Sequence, residues 1–287
     1  MMENERASLC AKNVLLKTGV HLHAVECGDE DGTPVVFLHG YGDSSYSFAP
    51  LFAQSLPSCR LIAPDLRGHG ASDKPEGDYS IARFAEDIVD FLDSEGLEKA
   101  VIAGHSMGSF VAQRLAADYP DRVAALVLIG SAASAADSEV LKDLAKQVDL
   151  LEDPVDVNFV RDFQTPSVPL PESFISGLIY QSLEIPAFVW KRCLANLLET
   201  DHQALLSRIE CPTAVFWGRN DGIFGQDQQD KLMDGLPFAA FKAFDGGHAF
   251  HWETPEALSQ DLIGFIAKID PRDRALPYRT PKILSNS

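Results

Sequence analysis

The chain has 287 residues, a formal net charge of −18, 46% hydrophobic and 23% charged residues. Such a length and composition suit a globular protein with a sizeable core, built as one large α/β domain or two ordinary ones. The acidic excess argues against nucleic acid or an anionic membrane as partner, since both demand a basic face, and it disfavours polyanionic substrates.

The N-terminal "MMENERASLCAKN" has no apolar signal core, and nowhere do about 18 apolar residues run uninterrupted, so no transmembrane helix is expected. Five cysteines (Cys10, Cys27, Cys59, Cys193, Cys211) are scattered without metal-ligand spacing. They read as reduced thiols and point to a cytoplasmic protein. No internal repeat or low-complexity tract occurs.

In chain order, "NVLLKTGVHLHAVECG" alternates around Thr18-Gly19 and predicts an antiparallel hairpin. "PVVFLHG" is a short continuous apolar run ending in glycine, which suits a strand buried on both faces, and "CRLIAPDLRGHG" repeats that form. Between Ser80 and Ser94, Ile81, Phe84, Ala85, Ile88, Phe91 and Leu92 share one helical face. "KAVIAG" predicts a third buried strand, a helical pattern follows from Met107 to about Asp118, Pro120 stops it, and "RVAALVLIG" predicts a fourth strand. Residues 132–208 carry helical stretches and scattered prolines but no buried strand. "PTAVFWG" and "AAFKAFDGG" resume the strand pattern, and an amphipathic helix is expected from about Pro255 to Ile269. This alternation predicts one mostly parallel α/β core from residues 1–131 and 209–270, interrupted by a helical insertion over 132–208. Residues 271–287 read as a loose or surface-wrapped tail.

The chemistry begins at "VIAGHSMGSF". Gly104-His105-Ser106-Met107-Gly108 lies between a buried strand and a helix, where a serine must adopt a strained backbone and flanking glycines let strand and helix approach closely. That is the G-x-S-x-G nucleophile elbow, which presents a hydroxyl at the carboxyl edge of the sheet.

A serine needs a base within hydrogen-bond reach. His21 and His23 fall on the hairpin and His202 in the helical block, all read as surface or structural. His39 and His69 sit in strand-end turns as loop organisers, and His105 adjoins the serine with its side chain aimed elsewhere. In "FDGGHAFHWETPE", His248 directly follows Gly246-Gly247 at a strand end and is preferred to His251. The base needs a carboxylate to fix its tautomer, and "VFWGRNDGIF" offers Asp221 in the loop after a strand. Ser106, Asp221 and His248 occur in the Ser…Asp…His order of this architecture. Oxyanion donors are expected from the backbone N–H of Met107, after the nucleophile, and from "HGYG", at Tyr41.

With these motifs the chain resembles the α/β-hydrolase superfamily. The resemblance runs through "FLHGYGDSSYSF", "APDLRGHGASDKP", "GHSMG", "WGRNDGIF" and "GGHAFHWETPE", nearly the whole chain. It implies a mostly parallel eight-stranded sheet with helices on both faces, a helical cap formed by the insertion, and hydrolysis without a cofactor. Ser106 stands where haloalkane dehalogenases and epoxide hydrolases carry aspartate, which disfavours those chemistries, and the histidines lack the clustering of zinc lactonases.

The implied activity is ester or lactone hydrolysis of a small-molecule substrate through an acyl-enzyme. Carbon–carbon bond hydrolysis, cofactor-free perhydrolysis and slow-turnover receptor action remain alternatives on the same residues. Phe163 and Trp190, with Phe159, Phe174 and Phe188, could line an apolar pocket under the cap. Phe48, Phe110 and Phe250 flank the catalytic motifs and are further candidates for substrate contact. Some relatives take the acid from the end of the strand before the cap. Here that strand ends "LVLIGSAAS", and the next carboxylate, Asp137, lies far along, so Asp221 is expected to act alone.

Overall fold

The computed structural model describes residues 9–54 and 56–269. The expected tail at 271–287, residue 270 and the first eight residues lie outside them. The chain opens with β1 (Cys10–Leu15) and β2 (His21–Gly28), an antiparallel hairpin with Leu15 opposite His21. β3 (Thr33–Leu38), a 3₁₀ turn (Ser45–Phe48), α1 (Ala49–Phe52) and β4 (Cys59–Pro64) follow. Then come α2 (Ile81–Ser94), β5 (Ala100–His105), α3 (Met107–Asp118) and β6 (Val123–Ile129).

Between β6 and β7 (Thr213–Gly218) stand α4 (Glu139–Val148), α5 (Val157–Phe163), α6 (Glu172–Leu183), α7 (Ala187–Leu198) and α8 (Gln203–Leu206). α9 (Gln226–Gly235), β8 (Ala240–Phe244), α10 (Phe250–Glu253) and α11 (Pro255–Ile266) complete the chain.

The strands form one eight-stranded sheet in the order β1-β2-β4-β3-β5-β6-β7-β8. β1 and β2 are antiparallel, and every pairing from β3/β4 through β7/β8 is parallel. Parallel strands need crossovers that cover both faces, so the central strands are apolar on both sides. The period of two sorts their side chains cleanly. Val36, Leu38, Ile102, Leu126 and Leu128 face a core shared with α2, α3 and the inserted helices. Val35, Phe37, Ala103, Val127 and Ile129 face the other core, closed by α1 and α11 through Leu51, Leu258, Leu262 and Ile266.

The α2 register follows its sequence: Ser80 caps it by accepting the Arg83 N–H at 3.2 Å, and Phe84, Ile88 and Phe91 are fully buried. Satisfying a free helix-start N–H in this way is the usual work of a serine N-cap.

The inserted segment leaves and rejoins the core at one place. Ser134 bridges Asp201, His202 N donates to Ala133 O at 2.8 Å and Ala135 N to Thr200 O at 3.1 Å. Its aromatic residues Phe163 and Trp190 pack edge-on with Tyr41 of the core, and Phe159 packs edge-on with Trp190. Among the described residues no helix is long and apolar enough to cross a membrane.

Candidate active site

β5 ends at His105 and α3 begins at Met107, so Ser106 alone turns the chain. Its backbone sits at φ 49°, ψ −119°, a strained region for a residue with a side chain. The flanking glycines are required by contact. A Cβ on Gly104 would lie 2.2 Å from Gly108 O, and a Cβ on Gly108 would lie 2.1 Å from Leu38 O. The turn is tied down by Ser106 N, which donates to Ile129 O at 3.0 Å. The Ser109 hydroxyl donates to Ser106 O at 2.6 Å. The Ser106 side chain lines a cavity of about 300 Å³ with His248, Tyr41, Phe163 and Asn220.

His248 follows the Gly246-Gly247 turn after β8. That turn passes so close to β7 that a Cβ on Gly218 would lie 2.1 Å from Gly247 O. His248 Nδ1 lies 2.8 Å from Asp221 Oδ2. Asp221 sits after β7, with its other oxygen accepting the N–H groups of Ile223 at 2.8 Å and Phe224 at 3.0 Å. Burial by itself would raise the Asp221 pKa. The His248 ring and the two N–H donors outweigh it and hold the carboxyl below its ordinary value. An ionised Asp221 accepts the Nδ1 proton and leaves Nε2 as the acceptor nitrogen. Nε2 is buried and has no protein partner among the described residues. The Ser106 hydroxyl is not hydrogen-bonded to it, and both residues face the same cavity.

Most of the remaining histidines, and Asp137, fall elsewhere. His251 is buried with Nε2 3.1 Å from Ser47 Oγ. His39 Nε2 accepts the Leu66 N–H at 2.9 Å, and His69 Nδ1 lies 3.0 Å from Arg67 O, so both brace turns. His202 Nδ1 lies 3.0 Å from Gln113 Oε1. His105, expected to aim its side chain elsewhere, instead lines the same cavity with its ring 5.0 Å from that of His248, because the end of β5 meets the His248 loop there. Asp137 pairs with Lys231 at 3.2 Å on the surface, and Ser131 bonds to Ser109 and Gln113.

The sequence matches the family described as alpha/beta hydrolase fold over residues 33–165. An uncharacterized protein of Mycobacterium tuberculosis is 37% identical over 258 residues, 81% of this chain and 74% of the relative. The chain belongs to the α/β-hydrolase family. A 2-hydroxy-6-oxononadienedioate/2-hydroxy-6-oxononatrienedioate hydrolase of Paraburkholderia phymatum is 30% identical, over 87% of this chain and 91% of the relative. An esterase from Exiguobacterium antarcticum superposes with a TM-score of 0.80 at 19% identity, over 90% of this chain and all (100%) of that one. The protein is thus an α/β-hydrolase enzyme.

In this α/β-hydrolase, Tyr41 lies in the loop after β3 and Met107 at the first position of α3. Among the described residues neither backbone N–H donates to a protein acceptor. The Tyr41 hydroxyl is spent on Trp190 O at 2.8 Å, which pins the loop to α7.

The aromatic candidates divide. Phe163 lines the cavity. Phe48, Phe110, Phe250 and Trp190 are fully buried, and none of them lines it. Phe48 packs on Phe37 and Phe52, and Phe250 stacks on Phe244 across the sheet's second face. Phe110 packs on Phe224 and His202, and Trp190 stands behind Tyr41 and Phe163. Proximity in sequence to a catalytic motif did not decide which way these rings point.

Asp43, Gln164 and Glu253 are among the polar groups of the hydrolase's cavity wall that were not singled out from the sequence. Gln164 Nε2 donates to Asp43 Oδ1 at 3.0 Å and to Ser182 Oγ at 2.9 Å. Burial raises the Asp43 pKa to about 6 against the lowering effects of Gln164, His248 and Ser47. Glu253 accepts the Gly247 N–H at 2.8 Å and bonds to the Ser167 hydroxyl, joining the histidine loop to the inserted segment. The one signal available in advance was a carboxylate in the otherwise uncharged "HGYGDSSYSF". Among the described residues no group of three or more His, Cys, Asp or Glu is placed to hold a metal ion.

Proposed function

We propose that this enzyme is a serine hydrolase that cleaves a carboxylic ester or lactone of a small, apolar substrate through an acyl-enzyme. One observation carries the reading: the strained Ser106 faces the same cavity as a His248–Asp221 pair whose Nε2 is unpartnered.

Ser106 Oγ attacks the substrate carbonyl carbon as its proton passes to His248 Nε2. The oxygen that gains charge is held by the N–H groups of Tyr41 and Met107, which have no other protein acceptor among the described residues. The imidazolium is stabilised by Asp221, then protonates the leaving alkoxide as the tetrahedral adduct collapses. Water, deprotonated by the same histidine, attacks the acyl carbon, and a second collapse returns the proton to Ser106. Losing either oxyanion donor would cost about 2.7–4 kcal/mol at the transition state. Residues 132–208 serve as a cap over this cavity, which is where binding energy from remote parts of the substrate would be gained.

The similarity to the Paraburkholderia phymatum hydrolase supports a second reading, carbon–carbon bond hydrolysis with the same residues. A panel of p-nitrophenyl esters, lactones and diketones separates the two. Rapid multiple turnover of esters or lactones is expected. Turnover of diketones alone would replace the first reading by the second. A single slow burst would instead mark a receptor.

A further inference from the structure

Among the described residues the cavity wall carries two carboxylates and, of basic side chains, only the imidazoles of His105 and His248. Asp43 and Glu253 carry the acidic groups of its wall, and neither lysine nor arginine lines it. Asp43 is also fixed. Its side chain sits in the turn between β3 and the 3₁₀ helix, with Oδ1 held by Gln164 and Oδ2 3.5 Å from Ser47 Oγ. It reaches back beside the residue that precedes Tyr41. A Cβ on Gly40 would lie 3.2 Å from Asp43 Oδ2 and 3.0 Å from His105 Nδ1.

Resting on the ester-hydrolase reading, we propose that Asp43 is a specificity determinant that excludes substrates bearing a carboxylate, so that the enzyme's substrate is an uncharged ester or lactone. A carboxylate entering this cavity would leave water, meet like charge at short range and find neither lysine nor arginine among the described lining residues to pair with, which disfavours it strongly. An uncharged ester loses nothing of the kind.

The exclusion depends on pH, because a protonated Asp43 no longer repels an anion. Its neighbours bear on this as follows. The ends of α5 and α6 contribute only the uncharged Gln164 and Ser182, and the 3₁₀ helix contributes Ser47. His105 at the end of β5 and His251 on α10 are held neutral by burial. Tyr41 is held protonated by burial. His248 faces the same cavity, and its charge favours the ionised form of Asp43. Glu253 stands on the wall as the second acidic group.

The test is the ratio of kcat/KM for 4-acetoxybenzamide to that for 4-acetoxybenzoate, followed from about pH 5.5 to 8. The two esters present the same acetyl group and differ in one carboxylate. We expect the ratio to favour the uncharged ester by at least about tenfold at pH 8 and to shrink severalfold toward pH 5.5. In Asp43→Asn the ratio should fall severalfold at pH 8 and lose its dependence on pH over this range. A second variant, Gln164→Leu, removes a donor to the carboxylate. It should therefore move the transition in the ratio to higher pH.

A wild-type ratio within about twofold of unity at pH 8 overturns the proposal. So does a pH dependence that persists unchanged in Asp43→Asn, or in Gln164→Leu should the first variant not fold. If neither ester is hydrolysed and Ser106 takes up no fluorophosphonate, the ester-hydrolase reading itself fails and takes this proposal with it. Hydrolysis that is blind to charge defeats the specificity claim alone.

Discussion

Ser106 shows how much of a site can be forced by single residues. Its φ of 49° is bearable because the close contacts around it admit no side chain at 104 or 108. Gly108→Ala would drive a methyl into the backbone of β3. It should lower unfolding stability by at least about 2 kcal/mol in urea titration, the scale of a steric conflict in a packed core. Unchanged stability would mean that the turn relaxes freely. The acid is equally local. Asp221→Asn should leave the circular dichroism spectrum intact and lower kcat by about 10⁴-fold, the loss seen in a well-studied triad. Asp137→Asn should be close to wild type, because Asp137 is occupied by Lys231 on the surface. The reverse pattern would put the acid before the inserted helices and remove Asp221 from the mechanism.

At the scale of elements, the strands and helices that were legible were those with one strong period. The pattern from Met107 to Asp118 is α3 itself. The sequence pattern predicts a last helix to about Ile269, but α11 ends at Ile266, where Lys268 and Ile269 close it with tighter turn-type hydrogen bonds to Phe265 and Ile266. Position along the chain also gave the order Ser106, Asp221, His248. What the sequence could not give was direction across elements. Phe48, Phe110 and Phe250 look no different from cavity residues in a linear reading, yet their helices turn them into the core. Asp43, Gln164 and Glu253 become neighbours only when the inserted segment folds back onto the β3 and β8 loops. The joint between the 3₁₀ helix and α10 is of this kind. Ser47 Oγ accepts the Trp252 Nε1–H at 3.0 Å and lies 3.1 Å from His251 Nε2. Ser47→Ala would leave these buried groups unpaired, and a loss of about 1–3 kcal/mol is expected for such an orphaned group. Equilibrium denaturation measures it, and a neutral effect would show that the joint does not depend on this hydroxyl.

Over the whole molecule, buried histidines set the response to acid. Burial lowers the pKa of His69 and His105 to about 3 and of His202 to about 4, and lowers those of His39 and His251 as well. Between each folded value and the unfolded value of about 6.5, the unfolded chain holds protons that the native protein refuses. Stability from these groups is therefore complete above about pH 6.5 and lost as pH falls below it, by about 2 kcal/mol at pH 5 for a histidine titrating near 3. Asp43, raised to about 6, and His23, raised by its bond to Asp65, act in the opposite sense. They are outnumbered. Tm should drop steeply between about pH 6.5 and 5, and calorimetry in buffers of different ionisation heat should register proton uptake on unfolding at pH 5. A Tm that holds level over that range would contradict the assignment of neutral buried imidazoles. The catalytic account draws the sheet edge, the inserted helices and the histidine loop together on one atom, Ser106 Oγ. It is tested most directly by treating the folded protein with a fluorophosphonate and mapping the adduct by peptide mass spectrometry. The account predicts one stoichiometric label on Ser106, with labelling and ester hydrolysis both abolished in Ser106→Ala; a label on Ser72 or Ser131 instead, or hydrolysis that survives in Ser106→Ala, would contradict it.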